Sequence, residues 1–277
     1  MKIFYIYIIL LSFLLIIIKY LFLQYERSLV FKPVKIPINY KFPKVMNFNI
    51  TEHFTEHFYH STQNCILNGL YLHNKNTPNN LLYCHGNAGN ISNSLFLFEK
   101  LGFYSSIFIF DYRGFGKSTG SPYENGIYDD IFSTWKFMKD ILKVDPRTIT
   151  FYGVSLGCCP ASWISSKIPE KFAPHSLILE SGFSNLQNLT WDYYPFILYF
   201  LSSYEFDNIK NIESINSPIK ILLAHSPHDE LINIYHKNLI LKKCMKKIEY
   251  YKLSGSHNAD KLNSSYLNKI RSYLYQY

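Results

Sequence analysis

The sequence predicts an α/β domain, a mostly parallel central sheet with helices on both faces, preceded by an N-terminal transmembrane helix. Three observations carry this. Residues 3–23 form an apolar and aromatic run broken only by Ser12 and Lys19, strand-like and helix-like segments alternate from about residue 47 onward, and several of those strands are apolar without interruption. The chain has 277 residues, 48% hydrophobic and 17% charged, which suits one domain of roughly 200 to 250 residues plus an appendage. Dense aromatics with only 12 Gly and 12 Pro exclude a collagen-like or wholly disordered chain. The formal charge of +8 suits an anionic membrane surface or a nucleic acid without choosing between them. Abundant Lys, Asn, Ile, Tyr and Phe match an AT-rich coding sequence, which weakens any argument from composition. Cys65, Cys84, Cys158, Cys159 and Cys244 are odd in number and irregularly spaced, and are expected as buried thiols without metal spacing.

The first element is the apolar run. About 21 residues at about 1.5 Å each cover the roughly 30 Å of a bilayer core. The residues that follow, Gln24 to Arg27, offer no small-residue cleavage site, so residues 1–24 are expected as an uncleaved signal anchor. Basic residues after the span lean the orientation toward a cytosolic domain, whereas sequons at Asn49, Asn90, Asn188 and Asn263 would favour the lumen if used. Residues 25–46, with Pro33, Pro37 and Pro43, are expected as an extended linker, and residues 47–277 as the folded domain.

Within that domain the strands are expected at 66–72, 80–85, 105–111, 147–153, 175–181, 218–225 and 247–253. Helices are expected at about 91–101, 126–142, 156–167, 234–243 and 260–275. Residues 45–73 hold two strand-like runs with no helix between them, so the sheet should begin with an antiparallel hairpin.

Gly153-Val154-Ser155-Leu156-Gly157 directly follows the strand TITFY and opens a helix-compatible stretch. Small residues two before and two after a serine let the backbone turn sharply, lifting Oγ above the sheet and aiming the next amide at the same point. The turn from His85 to Asn90 (HGNAGN) ends another buried strand and can present a second amide, that of Asn87, to an oxyanion. His85 precedes that turn and is expected to brace it. Asp229, in SPHDEL, and His257, in SGSHN, each follow a strand at its carboxyl end, where ligands collect in open α/β sheets.

These motifs, together with Asp111 to Ser118 (DYRGFGKS), resemble in order and spacing the α/β-hydrolase-fold serine hydrolases. Among them they are most similar to the membrane-anchored bud emergence homologue group of abhydrolase-domain proteins, which share a short N-terminal membrane segment and a Pro-containing link. The resemblance covers about residues 25–275. It implies Ser155 as nucleophile, His257 as general base, Asp229 as the orienting acid, and the amides of Asn87 and Leu156 as oxyanion hole, with no metal or organic cofactor. Two departures stand out: Cys158, Cys159 and Pro160 replace the small residues usual after the elbow, and Glu180, at another strand end, is an alternative acid.

Other features have blander readings. The DYRGFGKS loop lacks Walker spacing and is expected to be structural. His53 to His57 spells an inverted zinc-protease motif, but in a segment expected to be β rather than helical. Lys242, Lys243, Lys246 and Lys247 are expected at a solvated surface; no recognition motif accompanies them, so nucleic acid is not an expected partner. The insertion at about 182–217 contains WDYYPFILYFLSS, too short to span a bilayer, and suits an acyl-pocket cap, a membrane contact or core packing.

The resulting expectation is a single-pass protein of the endomembranes or plasma membrane that hydrolyses an acyl ester or thioester, with a lipid or an acylated protein as substrate. A protein depalmitoylase and a non-catalytic membrane-anchored scaffold are the alternatives.

Overall fold

The computed structural model describes residues 2–43, 54–193, 203–259 and 262–275. The start of the expected hairpin, Asn49, and the centre of the apolar insertion at 194–202 lie outside the described residues.

Helix α1 spans Lys2–Val30. At about 1.5 Å per residue its 29 residues measure about 43 Å, longer than a bilayer core. Its segment Phe4–Val30 is apolar enough to cross a membrane, and none of that helix's apolar window is buried against the domain. The expected extended linker from residue 25 is therefore corrected: the helix runs on to Val30, and the extended chain starts at Phe31. Short strand β1 (Lys32–Pro33) follows, pairing in parallel with Ala88–Gly89.

The sheet is built from β2 (Thr55–His60), β3 (Ile66–Leu72), β4 (Asn80–Cys84), β6 (Ser106–Asp111), β7 (Ile149–Val154), β8 (Ser176–Glu180), β9 (Lys220–His225) and β10 (Ile248–Lys252); β5 is the Ala88–Gly89 pair. Their spatial order is β10-β9-β8-β7-β4-β6-β3-β2. Among the described residues antiparallel pairing is confined to β2–β3 and β3–β6, so the hairpin begins the sheet as the sequence predicts.

Central strands are apolar at successive positions because both faces are covered. Leu82, Phe108, Phe110, Phe151 and Leu177 point into one core with α3 (Glu124–Asp140) and α4 (Cys158–Lys167). Leu81, Tyr83, Ile107, Ile109 and Ile178 point into the other, with α2 (Phe96–Leu101) and the C-terminal helix Ser264–Leu274. Each such side chain, fully buried, contributes about 1.5–3 kcal/mol. The expected helix at 91–101 is split by a short 3-10 turn at Ile91–Ser94, which Asn90 caps by accepting from the Ser92 amide.

Strands β4 and β7 are neighbours, and the chain leaves β4 toward β6 on one side and β7 toward β8 on the other, so a crevice opens between their carboxyl ends. Cys84 pairs in register with Gly153, which sets the HGNAGN turn beside Ser155.

Candidate active site

Ser155 sits at the turn from β7 into α4 with φ of +55°, the left-handed region that a non-glycine residue enters at a cost. The two flanking glycines make this turn sterically possible. A Cβ on Gly153 would lie 2.3 Å from the Gly157 carbonyl oxygen, and one on Gly157 would lie 2.0 Å from that of Cys84. Pro160 falls in the first turn of α4, where its missing N–H costs no helical bond. Cys158 and Cys159 are buried thiols that point away from the turn's apex: the Cys158 thiol donates to the Gly153 carbonyl, and Cys159 packs against Phe206 and Asn208. The residues that depart from the usual elbow thus leave its geometry open.

The structure brings three sequence-identified side chains together from three loops. His257 Nε2 lies 3.2 Å from Ser155 Oγ, and His257 Nδ1 lies 2.8 and 2.9 Å from the two Asp229 oxygens. Asp229 Oδ1 also accepts from the amides of Leu231 and Ile232 at 3.1 and 2.8 Å. Burial alone would raise the Asp229 carboxyl pKa; the bonds from His257 and the Ile232 amide outweigh it, and the pKa lies below its ordinary value. Glu230 adds a contact the sequence reading missed, accepting the His257 amide at 2.8 Å and so fixing the loop that carries the ring.

Glu180 is not joined to this chain. Its carboxylate accepts from the Tyr152 hydroxyl among buried residues beneath the sheet's carboxyl edge.

Asn87 and Leu156 line the same cavity as Ser155 and His257. Gly86 approaches so closely that a Cβ there would stand 3.6 Å from Ser155 Cβ. His85 packs its ring on Tyr112 and Phe115, and Nδ1 donates to the Gly86 carbonyl at 2.7 Å, in keeping with the bracing position expected for it. Burial pushes its pKa down to about 4 despite that bond.

The cavity measures about 600 Å³, within the range of small-molecule sites. Phe183, Leu186 and Leu189 of the insertion line it, the last two from helix α5 (Leu186–Tyr193). Phe22, Tyr25, Glu26, Leu29 and Val30 of α1 line it as well; the sequence reading missed these. The available signal was a stretch from Gln24 to Val30 free of Gly and Pro, which permits the helix to continue. A second cavity of about 710 Å³, lined by Glu124, Tyr128, Trp163 and Asn211 among others, contains none of the candidate residues.

A family model described as the alpha/beta hydrolase fold matches residues 79–196. An uncharacterized protein, R595, of Acanthamoeba polyphaga mimivirus is 31% identical over 231 residues, spanning 76% of this chain and 78% of that protein. Alpha/beta hydrolase domain-containing protein 17B of Homo sapiens is 28% identical over 204 residues, 73% of this chain and 68% of that protein. Among solved structures, an esterase of Pyrococcus furiosus superposes with a TM-score of 0.69 at 16% identity, covering 88% of this chain and 97% of the esterase. The narrower likeness to the bud emergence homologue group rests on the sequence motifs. The strand order, the crevice at β4 and the relatives agree, and the chain belongs to the α/β-hydrolase-fold family.

Proposed function

We propose that this protein is a membrane-anchored serine hydrolase that cleaves a carboxylic ester or thioester through Ser155, His257 and Asp229. The observation that carries this reading is the continuous hydrogen-bonded chain from Asp229 through His257 to Ser155, ending in a largely apolar cavity.

In this reading Ser155 Oγ attacks the acyl carbon as its proton passes to His257 Nε2. Asp229, bonded to Nδ1, selects the tautomer with Nε2 free to accept and stabilises the imidazolium formed. The charge on the substrate oxygen is held by the amides of Asn87 and Leu156, each worth about 3–4 kcal/mol in the transition state. The tetrahedral centre collapses with breakage of the bond to the alcohol or thiol, which leaves with the proton from His257. Water then attacks the acyl-serine ester, giving one proton to His257, and the serine oxygen recovers it as the carboxylic acid departs. These steps draw only on the side chains and amides named.

Helix α1 supports a single-pass anchor. Phe4, Ile9, Phe13 and Ile16 are all more than 60% exposed on an otherwise folded protein, and a contiguous apolar surface of that extent calls for a non-aqueous surrounding. The substrate would then be an acyl ester or thioester of a lipid or an acylated protein at that membrane.

Labelling by a fluorophosphonate probe tests the catalytic assignment in detergent-solubilised protein. Wild type is expected to label, Ser155→Ala not at all, and His257→Ala far more slowly. Equal labelling of Ser155→Ala, or a folded wild type that does not label, removes the assignment and leaves the scaffold reading.

A further inference from the structure

The cavity-lining residues of α1 are Phe22, Tyr25, Glu26, Leu29 and Val30. Their spacing of three and four residues places them on one helical face. The same helix therefore has two successive parts: an apolar stretch that ends at Leu23, and a final pair of turns whose one face closes the cavity holding Ser155.

This closure is fixed by contacts on both sides. Glu26, only 7% exposed, accepts from the Ser203 amide at 3.1 Å and also from the Ser203 hydroxyl. Phe31 is buried edge-on against Tyr204 and Phe206. The Val30 carbonyl accepts from Asn87 Nδ2 at 3.1 Å, and the Lys32 amide donates to the Asn87 carbonyl at 2.8 Å. The end of the helix is thus bonded to the loop beside Ser155.

Length along the helix places the membrane relative to the chemistry. From Phe22 to Val30 is about 12 Å of helix axis. The apolar run gives way to Gln24, Glu26 and Arg27 just after Phe22, so the cavity that Phe22 and Ser155 both line opens where the helix would leave the hydrocarbon. Between the hydrocarbon and Ser155, Phe22, Tyr25 and Leu29 on one side and Leu186, Leu189 and Phe183 of the insertion supply an apolar lining.

We infer that the last turns of the anchor helix are the acyl-chain wall of the active site. The substrate is a bilayer-resident amphiphile whose long acyl chain runs from the membrane along Phe22, Tyr25 and Leu29 to Ser155. The inference rests on the hydrolase reading above and adds the substrate class and the residues that measure it. An apolar pocket discriminates chain length by contact and by obstruction, about 10-fold or more for a methylene-scale misfit. A large side chain at Leu29 therefore obstructs a long chain more than a short one.

The test uses the full-length protein in nanodiscs, with para-nitrophenyl palmitate and para-nitrophenyl butyrate as substrates and fluorophosphonate labelling as the check that each variant is folded. Wild type prefers palmitate. Leu29→Trp lowers the palmitate-to-butyrate ratio of kcat/KM by about tenfold, and Phe22→Trp moves it the same way. Tyr20→Trp, at a residue 59% exposed and on the opposite side of the helix from Phe22, leaves the ratio as in wild type. If both Leu29→Trp and Phe22→Trp label normally and keep the wild-type ratio, α1 is not the acyl wall, while the hydrolase reading stands. If wild type neither labels nor hydrolyses either ester, the hydrolase reading fails and this inference with it. Vesicles carrying a lysophospholipid or an S-palmitoylated peptide distinguish the source of the chain, and turnover of whichever is cleaved must show the same dependence on Leu29.

Discussion

Asn87 Nδ2 donates to the carbonyl of Val30 at 3.1 Å, so the loop that follows β4 is tied to the last residue of the apolar helix. The tie uses the Asn87 side chain, whereas the proposed oxyanion contact uses its backbone amide. The two are separable by substitution. Asn87→Ala keeps the amide, and the backbone bond from the Lys32 amide to the Asn87 carbonyl, and removes the side-chain tie, a loss of about 0.5–1.5 kcal/mol of hydrogen bonding. If that energy positions the amide, kcat on a soluble acyl ester falls about two- to tenfold with little change in KM. A variant with unaltered kcat would show that the loop holds its shape without the side-chain tie.

Gly157→Ala is expected to be far more damaging than Gly86→Ala. At Gly157 a new Cβ would meet the backbone oxygens of Cys84 and His85 at 2.0 and 2.6 Å, and neither is free to swing away. At Gly86 it would meet Ser155 Cβ at 3.6 Å, ordinary contact. Overpacking of this kind costs about 1–3 kcal/mol, and relief must come from the turn that holds Ser155. Thermal melting and probe labelling together check this: Gly157→Ala loses both stability and labelling, while Gly86→Ala retains both to within a small margin.

The parts of the fold visible in the sequence were those decided by local pattern. Strands such as 106–111 and 149–154 carry apolar runs, Ile107 to Phe110 in the first and Ile149 to Tyr152 interrupted only by Thr150 in the second, because the sheet is covered on both sides, and that signal needs no tertiary knowledge. Ser155, Asp229 and His257 were legible because each follows a strand at its carboxyl end, although the strand before His257, Ile248–Lys252, lies at the sheet edge. The docking of α1 was not. Glu26 finds its partner in Ser203, 177 residues away, and Phe31 finds Tyr204 and Phe206. Gln24, Glu26 and Arg27 read locally as the end of an apolar helix, and only those distant contacts reveal its continuation. The departures at Cys158, Cys159 and Pro160 were similarly undecidable until their side chains could be seen to point away from Ser155.

Asp229 and Glu180 make opposite predictions. His257 Nδ1 is bonded to Asp229 and the Glu180 carboxylate to Tyr152. Asp229→Asn preserves shape but presents a donor to the ring, favouring the wrong tautomer, and a loss of about 10⁴ in kcat is expected from that change alone. Glu180→Gln keeps an acceptor for Tyr152 and should leave kcat within about threefold of wild type. Single-turnover kinetics on both variants decide the assignment, and a larger loss in Glu180→Gln would transfer the acid role.

Asp111 supplies a pH dependence whose sign can be worked out. It is fully buried beside the HGNAGN turn, where its Oδ1 accepts from the Ile91 amide at 2.8 Å. Burial pushes its pKa up to about 8 although that amide and Lys35 oppose the shift. The folded protein therefore holds this proton to about pH 8, whereas the unfolded chain releases it near 3.8, the ordinary value for aspartate. Stability contributed by the group is full below the lower value and falls as pH rises to about 8. His85 acts in the opposite sense, its pKa lowered to about 4 from 6.5, so stability rises with pH across that interval. Between about pH 6.5 and 8 only the Asp111 effect of this pair remains. Asp111→Asn, which keeps the acceptor and cannot ionise, should flatten the decline in Tm over that range; an unchanged slope would place the titration elsewhere.

A second serine, histidine and aspartate set lies in the same domain and is expected to be inert. Ser184 Oγ is 2.9 Å from His236 Nδ1, and His236 Nε2 is 3.0 Å from Asp192 Oδ2. The connectivity imitates a triad, but Ser184 and His236 are wholly buried. The Ser184 amide also donates to Nδ1, at 3.2 Å, and Asn188 Nδ2 donates to the Ser184 hydroxyl oxygen at 3.0 Å. These bonds use up the histidine acceptor and occupy the serine oxygen, and no sharp turn lifts that oxygen toward a cavity. What the set does is join α5, which carries Asp192, to the helix Ile234–Lys243, which carries His236. Burial lowers the His236 pKa despite Asp192, so its contribution is present above the ordinary histidine value and lost as pH falls. Peptide mapping after fluorophosphonate treatment should find the adduct on Ser155 alone. Ser184→Ala should label as fully as wild type while melting earlier, by an amount equivalent to about 1 kcal/mol. An adduct on Ser184, or labelling that depends on it, would mean that this closed set opens in solution and that the domain carries two reactive serines.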